Sequence, residues 1–415
     1  MRLFLHGLAV ALLLTWSVNA AEATTLLAPR NEVNVTAQRE LPICSTDCAR
    51  QVTEQTGINC QPSDPCYCEE RTPRSQALSQ CLQTSCSLDD QLRTQRFRAE
   101  TCELPVHDRQ AEIRAIIYPL FGLAVVFTLA RLLSRWPRLQ GAGFWWDDFV
   151  VFLCLFPVVA FPVDSEMNLY YGLGRDMWFL SAYQLEKFLL WFYIAEPVYI
   201  TATRLTKLSL VLLYIRLWPE KNKFRYTCIV VAVLLVLSIP AGFLPVLLQC
   251  QPVSRYWRQL EPNVPGTCID QKVMSIANAT IVIAFDVIVL LLPIRNLLKA
   301  RVPWRTRVGI LSVFLVGFAV TACSGVRISY ISLYSKNSTN LTYDYRGLAM
   351  WSHIEVYLSL VCCSMPQMPG LVRRVWTLMK TGRRTRLESD SSGAERASQK
   401  LWGDKYAPKA EAAVE

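Results

Sequence analysis

The sequence predicts an all-α membrane protein, in which a seven-transmembrane helix bundle follows a small, disulfide-rich helical domain. Of the 415 residues, 52% are hydrophobic and only 18% are charged. An average soluble protein has about a quarter of its residues charged. The missing charge is confined to long apolar stretches between residues 111 and 369, and eight of the 15 cysteines fall between 44 and 102. This pattern excludes an ordinary soluble enzyme.

The first 20 residues are typical of a secretory signal peptide. Arg2 supplies the positive start, residues 3–14 form a short apolar core, and small residues end at Ala20, before a cleavage site. The core is too short to span a bilayer, which takes roughly 20 apolar residues, and an uncleaved anchor helix is the alternative. In both cases residues 21–110 enter the secretory pathway, where disulfides form and persist.

Residues 21–110 are predicted to form an extracellular domain held by four disulfides. An even number of cysteines at this density behind a signal peptide indicates a disulfide framework. Few large apolar residues occur here, so burial alone would not fold the domain. Helices are predicted over 47–55 and 75–84, the cysteine pairing stays open, and a zinc site at Cys66 and Cys68 is the alternative. The eight are Cys44, Cys48, Cys60, Cys66, Cys68, Cys81, Cys86 and Cys102.

The cysteine spacing resembles that of the fungal CFEM domain. The P-x-C element of that family falls at Cys44, and its C-x-C element falls at Cys66-Tyr67-Cys68. In some secreted CFEM proteins an aspartate before the C-x-C element ligates haem iron. Asp64 is the nearest match, although it stands two residues before Cys66 where the family usually has three. The resemblance therefore implies haem as a candidate cofactor, and an aspartate that caps a turn is the alternative.

Seven apolar segments follow and are predicted to be membrane spans within a domain of residues 111–370. The second is short and is predicted to end at Pro162. With the first domain outside, an odd number of spans places the polar tail, residues 371–415, in the cytoplasm. We therefore expect a multi-pass plasma-membrane protein. The spans cover 112–133, 148–163, 187–215, 227–249, 273–294, 308–333 and 347–369.

The distribution of basic residues favours this orientation, because cytoplasmic loops carry an excess of Lys and Arg. The predicted inner loops hold 12 basic residues, among them Arg131, Arg135 and Arg216, and the outer loops hold six. A further basic cluster follows the seventh span and suits anionic lipids. The net charge of +10 is therefore interpreted as a membrane-orientation signal, with the bilayer and not nucleic acid as the partner.

Other sites agree with this topology. Asn-x-Ser/Thr sequons predict glycosylation at Asn34 in the first domain and at Asn337 and Asn340 in the last outer loop. Cys250 and Cys268 flank the outer loop between the fourth and fifth spans, which predicts a fifth disulfide.

Ionisable side chains within a span are costly and mark candidate sites. Depth along the helices separates six of them into two layers. The outer layer either lines a ligand pocket or pins three helices together, and it consists of Glu196, Arg327, His353 and Glu355. The inner layer is a lock near the cytoplasmic face or a structural ion pair, and it consists of Lys207 and Asp286.

No motif in the sequence supports an enzyme. HExxH, P-loop and G-x-S-x-G sequences are absent, so no catalytic residue is predicted. The seventh span has no lysine that could form a retinal Schiff base, and no Asp-Arg-Tyr triplet ends the third span.

Over residues 115–375 the chain resembles the fungal rhodopsin-like integral membrane family, also called the SAT-four family. Each motif is short, but their order and spacing are specific. They include Trp146-Asp147-Asp148, Gly172-Leu173-Gly174-Arg175, Lys207-Leu208-Ser209, Gln249-Cys250-Gln251-Pro252, Asp286, Arg327 and Glu355.

The two domains together resemble the CFEM-bearing receptors of filamentous fungi. That resemblance implies a G-protein-coupled-receptor-like protein, which senses a surface or host cue through an unknown extracellular ligand. A heterotrimeric G protein would contact the cytoplasmic loops, chiefly 295–307, and the basic tail. Relatives of the membrane half also accompany toxin biosynthetic clusters. One alternative is therefore a membrane accessory for transport, haem or metabolite binding in a secondary-metabolite pathway, and another is an adhesion protein.

Overall fold

The computed structural model describes residues 41–61, 64–69, 72–136, 143–218, 222–262, 264–294, 296, 304–334 and 340–368. The predicted signal peptide, Asn34, Asn337, the tail 371–415 and most of the loop 295–307 lie outside these residues. Within them the chain is almost entirely helical. Seven helices are long and apolar enough to cross a membrane, which confirms the predicted fold class.

In the described part of the chain, four helices precede the membrane helices and form a unit that we call the module. They are α1 (Ile43–Thr56), α2 (Pro65–Cys68), α3 (Pro73–Ser85) and α4 (Leu88–Thr101). The Ser87 hydroxyl accepts a hydrogen bond from the Asp90 amide and so caps α4, where Asp89 and Asp90 also favour the helix start. This helix is not among those expected from the sequence.

Four disulfides hold the module, and they join Cys44 to Cys86, Cys48 to Cys81, Cys60 to Cys66 and Cys68 to Cys102. The first two connect α1 and α3 around a small buried core. A core of this size is too small to hold a fold without cross-links. The alternative of a zinc site at Cys66 and Cys68 is wrong, because both sulfurs are used in disulfides.

Seven membrane helices follow the module. They are α5 (Gln110–Arg135), α6 (Trp146–Tyr170), α7 (Ala182–Leu217), α8 (Asn222–Leu247), α9 (Gln271–Leu291), α10 (Trp304–Tyr334) and α11 (Leu341–Ser364). The long helix α7 is central and packs against α6, α8, α9 and α11. Between α8 and α9, strands β1 (Cys250–Gln251) and β2 (Thr267–Cys268) form an antiparallel hairpin, across which Cys250 and Cys268 are disulfide-bonded.

The second membrane helix is longer than the sequence suggested. It continues through Pro157 and Pro162 and ends at Tyr170, so the predicted end at Pro162 is wrong. Proline is tolerated within a membrane helix because neighbouring groups satisfy the carbonyls that it leaves free. The two added turns carry Asp164, which is buried in the bundle.

The module contacts one end of the bundle through α4 and the chain that follows it. Leu88 and Leu92 of α4 belong to the hydrophobic core of the bundle. The Arg96 guanidinium lies 5.5 Å from the centre of the Phe179 ring, and the His107 amide donates a 2.7 Å hydrogen bond to Asp176. We call this end of the bundle the module end and the opposite one the far end.

Candidate functional site

A cavity of about 470 Å³ lies in the module-end half of the bundle. Its wall comes from α6, α7, α9, α10 and α11, and β2 with the residues after it covers part of it. Small-molecule sites have volumes of this order and similar mixed walls. Burial raises the pKa of Tyr256, in the loop between the strands, well above its ordinary value, so that its hydroxyl stays protonated. The Phe and Tyr rings of the wall belong to Phe161, Phe192, Tyr199, Tyr256, Tyr330 and Tyr345.

Three of the four predicted outer-layer residues line this cavity: Glu196, Arg327 and His353. Arg327 Nε donates a 3.0 Å hydrogen bond to the Ser352 hydroxyl. Its guanidinium carbon lies 3.9 Å from the centre of the Tyr199 ring. Within the described ranges, Arg327 has no carboxylate oxygen close enough for a salt bridge. The arginine is therefore held in the wall by an aromatic ring and a hydroxyl.

Glu355, the fourth predicted outer-layer residue, does not line the cavity. It is fully buried one layer closer to the far end, where the Tyr199 hydroxyl donates a 2.8 Å hydrogen bond to its Oε1. Tyr199 therefore lies between Arg327 and Glu355, and the two do not pair directly. The alternative in which the charges of the outer layer pin three helices together as ion pairs is therefore not observed for Arg327 and Glu355.

The inner layer is an ion pair between two helices. Lys207 Nζ of α7 lies 3.1 Å from Asp286 Oδ1 of α9. The Ser324 hydroxyl of α10 donates to the other carboxylate oxygen at 3.2 Å. Lys207 and Asp286 are both close enough to Glu355 to interact electrostatically with its carboxyl group.

The His353 ring is used within the helix packing. Its Nδ1 lies 2.8 Å from the Ala349 carbonyl oxygen of the preceding turn. The ring stacks on Phe161 of α6, with the ring centres 4.0 Å apart. His353 thus joins α11 to α6 at the cavity wall.

Sequence reasoning missed three polar residues of α6 that line the cavity: Asp164, Ser165 and Asn168. Each is at most 4% exposed. Asn168 Nδ2 donates a 3.1 Å hydrogen bond to Asp164 Oδ2. Among the described residues, Asp164 Oδ1, Ser165 Oγ and Asn168 Oδ1 have no hydrogen-bond partner. The sequence contains a signal for these residues. If the second span is extended beyond Pro162 as a helix, Asp164 and Asn168 fall on one face of it.

A second group of residues that was not predicted from the sequence forms a buried charge network at the far end. Arg131 of α5 lies within 2.8 Å of Asp147 and 3.2 Å of Asp148, both at the start of α6. Its remaining guanidinium nitrogen donates to the Cys363 carbonyl of α11 at 2.7 Å. Arg216 of α7 lies 3.2 Å from Asp147. The network therefore ties four helices together and gives the Trp146-Asp147-Asp148 motif a structural role.

This network corrects the reading of three basic residues. Arg131, Arg135 and Arg216 were assigned to inner loops, but all three lie within helices and face the two aspartates. Arg131 is completely buried. Asp147 and Asp148 balance two of these three charges, so the cluster adds only one net positive charge to the basic excess at this end.

Asp64, the haem-ligand candidate, closes a turn. Its Oδ2 accepts a 2.8 Å hydrogen bond from the Gln61 amide, and the residue precedes the first turn of α2. Cys60 and Cys66 lie close to it, but their sulfurs form a disulfide and are not thiolate ligands. The local geometry agrees with the turn-capping alternative.

Asn340, a predicted glycosylation site, has its side chain inside the fold. Its Nδ2 donates a 2.6 Å hydrogen bond to Asp176, and its Oδ1 accepts one of 3.0 Å from the Met177 amide. A glycan attaches to this nitrogen and would break the contact. The structure therefore argues against glycosylation at Asn340.

Comparison with protein families matches residues 130–374 to the fungal rhodopsin domain and residues 37–103 to the CFEM domain. One relative is the Fugralins biosynthesis cluster protein 2 of Gibberella zeae, 24% identical over 44% of this chain and 46% of its own. The SAT4 family membrane protein of Emericella nidulans is 24% identical over 45% of this chain and 47% of its own. The Polyenoic acids biosynthesis gene cluster protein Ba17b of Metarhizium anisopliae is 29% identical over 40% of this chain and 47% of its own.

The match covers just under half the length of these relatives. No solved structure matches the chain.

Proposed function

The chain belongs to the fungal rhodopsin domain family, and from this premise we propose that it is a receptor-like protein of the fungal cell surface. It binds a small molecule in the module-end cavity and takes no part in catalysis. The observation that carries this proposal is the continuous path from the cavity to the interior. Arg327 in the cavity wall rests on Tyr199, and Tyr199 is hydrogen-bonded to Glu355 beside the inner ion pair.

In this proposal the module end faces outward and the protein lies in the plasma membrane. The five disulfides suit the oxidising side of the membrane. Lys223 and Arg225 begin α8 at the far end, and Arg305 and Arg307 begin α10 at the same end. Basic residues at this end agree with a cytoplasmic location by the positive-inside rule.

In this proposal the buried charges transfer the signal by changing between two arrangements, one without and one with a bound ligand. A ligand that contacts Arg327 changes how its guanidinium sits on Tyr199. The hydrogen bond to Glu355 then carries that change towards Lys207 and Asp286. A heterotrimeric G protein reads the result at the cytoplasmic loops, chiefly 295–307 and the basic tail.

Gene deletion tests this proposal when three readouts are followed together: cyclic AMP, responses to surface contact and secreted metabolites. A receptor predicts that cyclic AMP and the surface responses change first, and that the wild-type gene restores both. The deletion strain is also complemented with the Tyr199→Phe variant, to test the contribution of this one residue. Unchanged cyclic AMP and surface responses in the deletion strain would count against a receptor.

A second candidate function is that of a membrane accessory in a secondary-metabolite pathway. The observation in its favour is that two of the relatives above carry the names of biosynthesis cluster proteins. Under this candidate the cavity holds a pathway metabolite and no G protein is needed. The same deletion then changes only the secreted metabolites. The Asp64 geometry gives no support to a haem-binding version of it.

A further inference from the structure

The cavity presents two chemically different faces. On the α10–α11 side is Arg327, whose guanidinium is already held by Tyr199 and Ser352. On the α6 side are Asp164, Ser165 and Asn168, with three oxygen atoms that lack hydrogen-bond partners in the described part of the chain. Buried polar atoms in proteins are nearly always hydrogen-bonded, so a set left open at a cavity wall marks a place where a bound water, ion or ligand supplies the missing contacts.

The spacing of these residues directs their side chains to one place. Positions four apart lie on the same face of a helix, and Asp164 and Asn168 contact each other directly. That contact uses Asp164 Oδ2 and Asn168 Nδ2, and it leaves Asp164 Oδ1 and Asn168 Oδ1 without a partner among the described residues. Ser165 adds a hydroxyl oxygen to the same cavity wall. All three open atoms can accept a hydrogen bond, the Ser165 hydroxyl can also donate one, and Asp164 Oδ1 belongs to a carboxyl group.

The charge balance of the cavity points in the same direction. Carboxyl groups outnumber basic side chains in the described lining, even if His353 is counted among the bases. Phe192 and Tyr345 add aromatic rings to the same wall, and aromatic faces attract cations. The carboxyl-bearing residues are Asp164, Glu196, Asp270 and Asp344, and the basic ones are Lys272, Arg327 and His353.

We propose that the cavity binds a small organic cation, in which a primary ammonium group donates hydrogen bonds to Asp164, Ser165 and Asn168. An ammonium group has three N–H donors and no acceptor, so it matches three acceptor oxygens. An aromatic or aliphatic body attached to it lies against the rings of the wall. This inference rests on the proposed function, because it names the ligand class of that site.

Purified full-length protein in nanodiscs tests the proposal with three indole probes of similar size and different charge. They are tryptamine as the cation, tryptophol as the neutral molecule and indole-3-acetate as the anion. Binding is measured by calorimetry and by the shift of Tm. Tryptamine is expected to bind at least about tenfold more tightly than either analogue, because hydrogen bonds to a charged group are worth more than neutral ones.

Two variants locate the contact. Asp164→Asn is expected to reduce the affinity for tryptamine about tenfold or more and to leave tryptophol binding unchanged. Glu166→Gln is the matched control, since it removes a carboxylate from the same helix outside the cavity, where Glu166 pairs with Arg114. It is expected to bind tryptamine as the wild type does.

Equal binding of the three probes, tighter binding of indole-3-acetate, or no binding of tryptamine would overturn the proposal. The wild-type comparison needs no variant, so poor folding of Asp164→Asn does not prevent a decision. Binding and signalling are read separately. Selective tryptamine binding without any G-protein response would retain this inference and reject the receptor function.

Discussion

The Tyr199 hydroxyl donates a 2.8 Å hydrogen bond to Oε1 of Glu355, inside the bundle and just below the cavity. The ring of the same tyrosine contacts Arg327, whose guanidinium lies over it. A single tyrosine thus joins a cavity residue of α10 to a buried carboxyl group of α11. Tyr199 belongs to α7, the central helix, so a movement at this point acts on several helices together.

Tyr199→Phe is expected to lower the stability of the bundle by about 1–3 kcal/mol. Among the described residues Glu355 Oε2 has no hydrogen-bond partner, and the change would remove the hydrogen bond of Oε1 as well. The measurement is the thermal unfolding of purified protein in detergent. Tyr183→Phe is the control, since Tyr183 is exposed at the start of α7. If the two variants unfold at the same temperature, the buried hydrogen bond has no energetic importance.

Arg131→Met is expected to reduce the stability by about 3–5 kcal/mol, because it leaves Asp147 and Asp148 buried with less compensating charge. Yield of folded protein and its unfolding temperature measure the effect. Arg114→Met is the matched control, because Arg114 pairs with Glu166 at a partly exposed site. Exposed pairs are worth about 1 kcal/mol or less. Similar losses in both variants would contradict the assignment of Arg131 to the centre of the far-end network.

The inner ion pair predicts a non-additive result. Lys207→Leu alone is expected to cost about 3–5 kcal/mol, since it leaves the buried Asp286 carboxylate without its charged partner and with the Ser324 hydroxyl beside it. The double variant Lys207→Leu, Asp286→Leu removes both charges and is expected to recover most of this loss. Chemical unfolding of both singles and the double measures the coupling. Additive losses would show that the two side chains do not depend on each other.

Asn340 is expected to carry no glycan although it stands in a sequon. Its side-chain nitrogen donates to Asp176 within the fold. Peptide mass spectrometry after enzymatic removal of N-glycans in heavy-oxygen water marks every site that was glycosylated. An unlabelled Asn340 is the predicted result. A labelled Asn340 would mean that its contact with Asp176 does not form before the glycan is attached.

Much of the architecture could be predicted because it depends on long-range composition. Apolar segments of sufficient length identified seven spans, and cysteine density identified the module. The inner pair of Lys207 and Asp286 could also be proposed, because two opposite charges at one depth in a membrane have few other partners.

What could not be predicted depends on tertiary contacts. In a sequence, Pro162 indicates the end of a helix. In the structure α6 continues beyond it to Tyr170 and includes Asp164, because the helix packs against its neighbours. Arg131 resembles a loop arginine of the positive-inside pattern, and only the fold shows that two aspartates enclose it. Tyr199 has no charge and so gave no signal, although it connects the cavity to Glu355.

The central claim, that this bundle is a receptor, is tested most directly by nucleotide exchange on a panel of fungal Gα subunits. The full-length protein is reconstituted in nanodiscs, and binding of a fluorescent GTP analogue is followed with and without it. The account predicts faster exchange on at least one Gα subunit and a changed rate with Tyr199→Phe. If folded protein accelerates exchange on none of the subunits, the receptor function is contradicted.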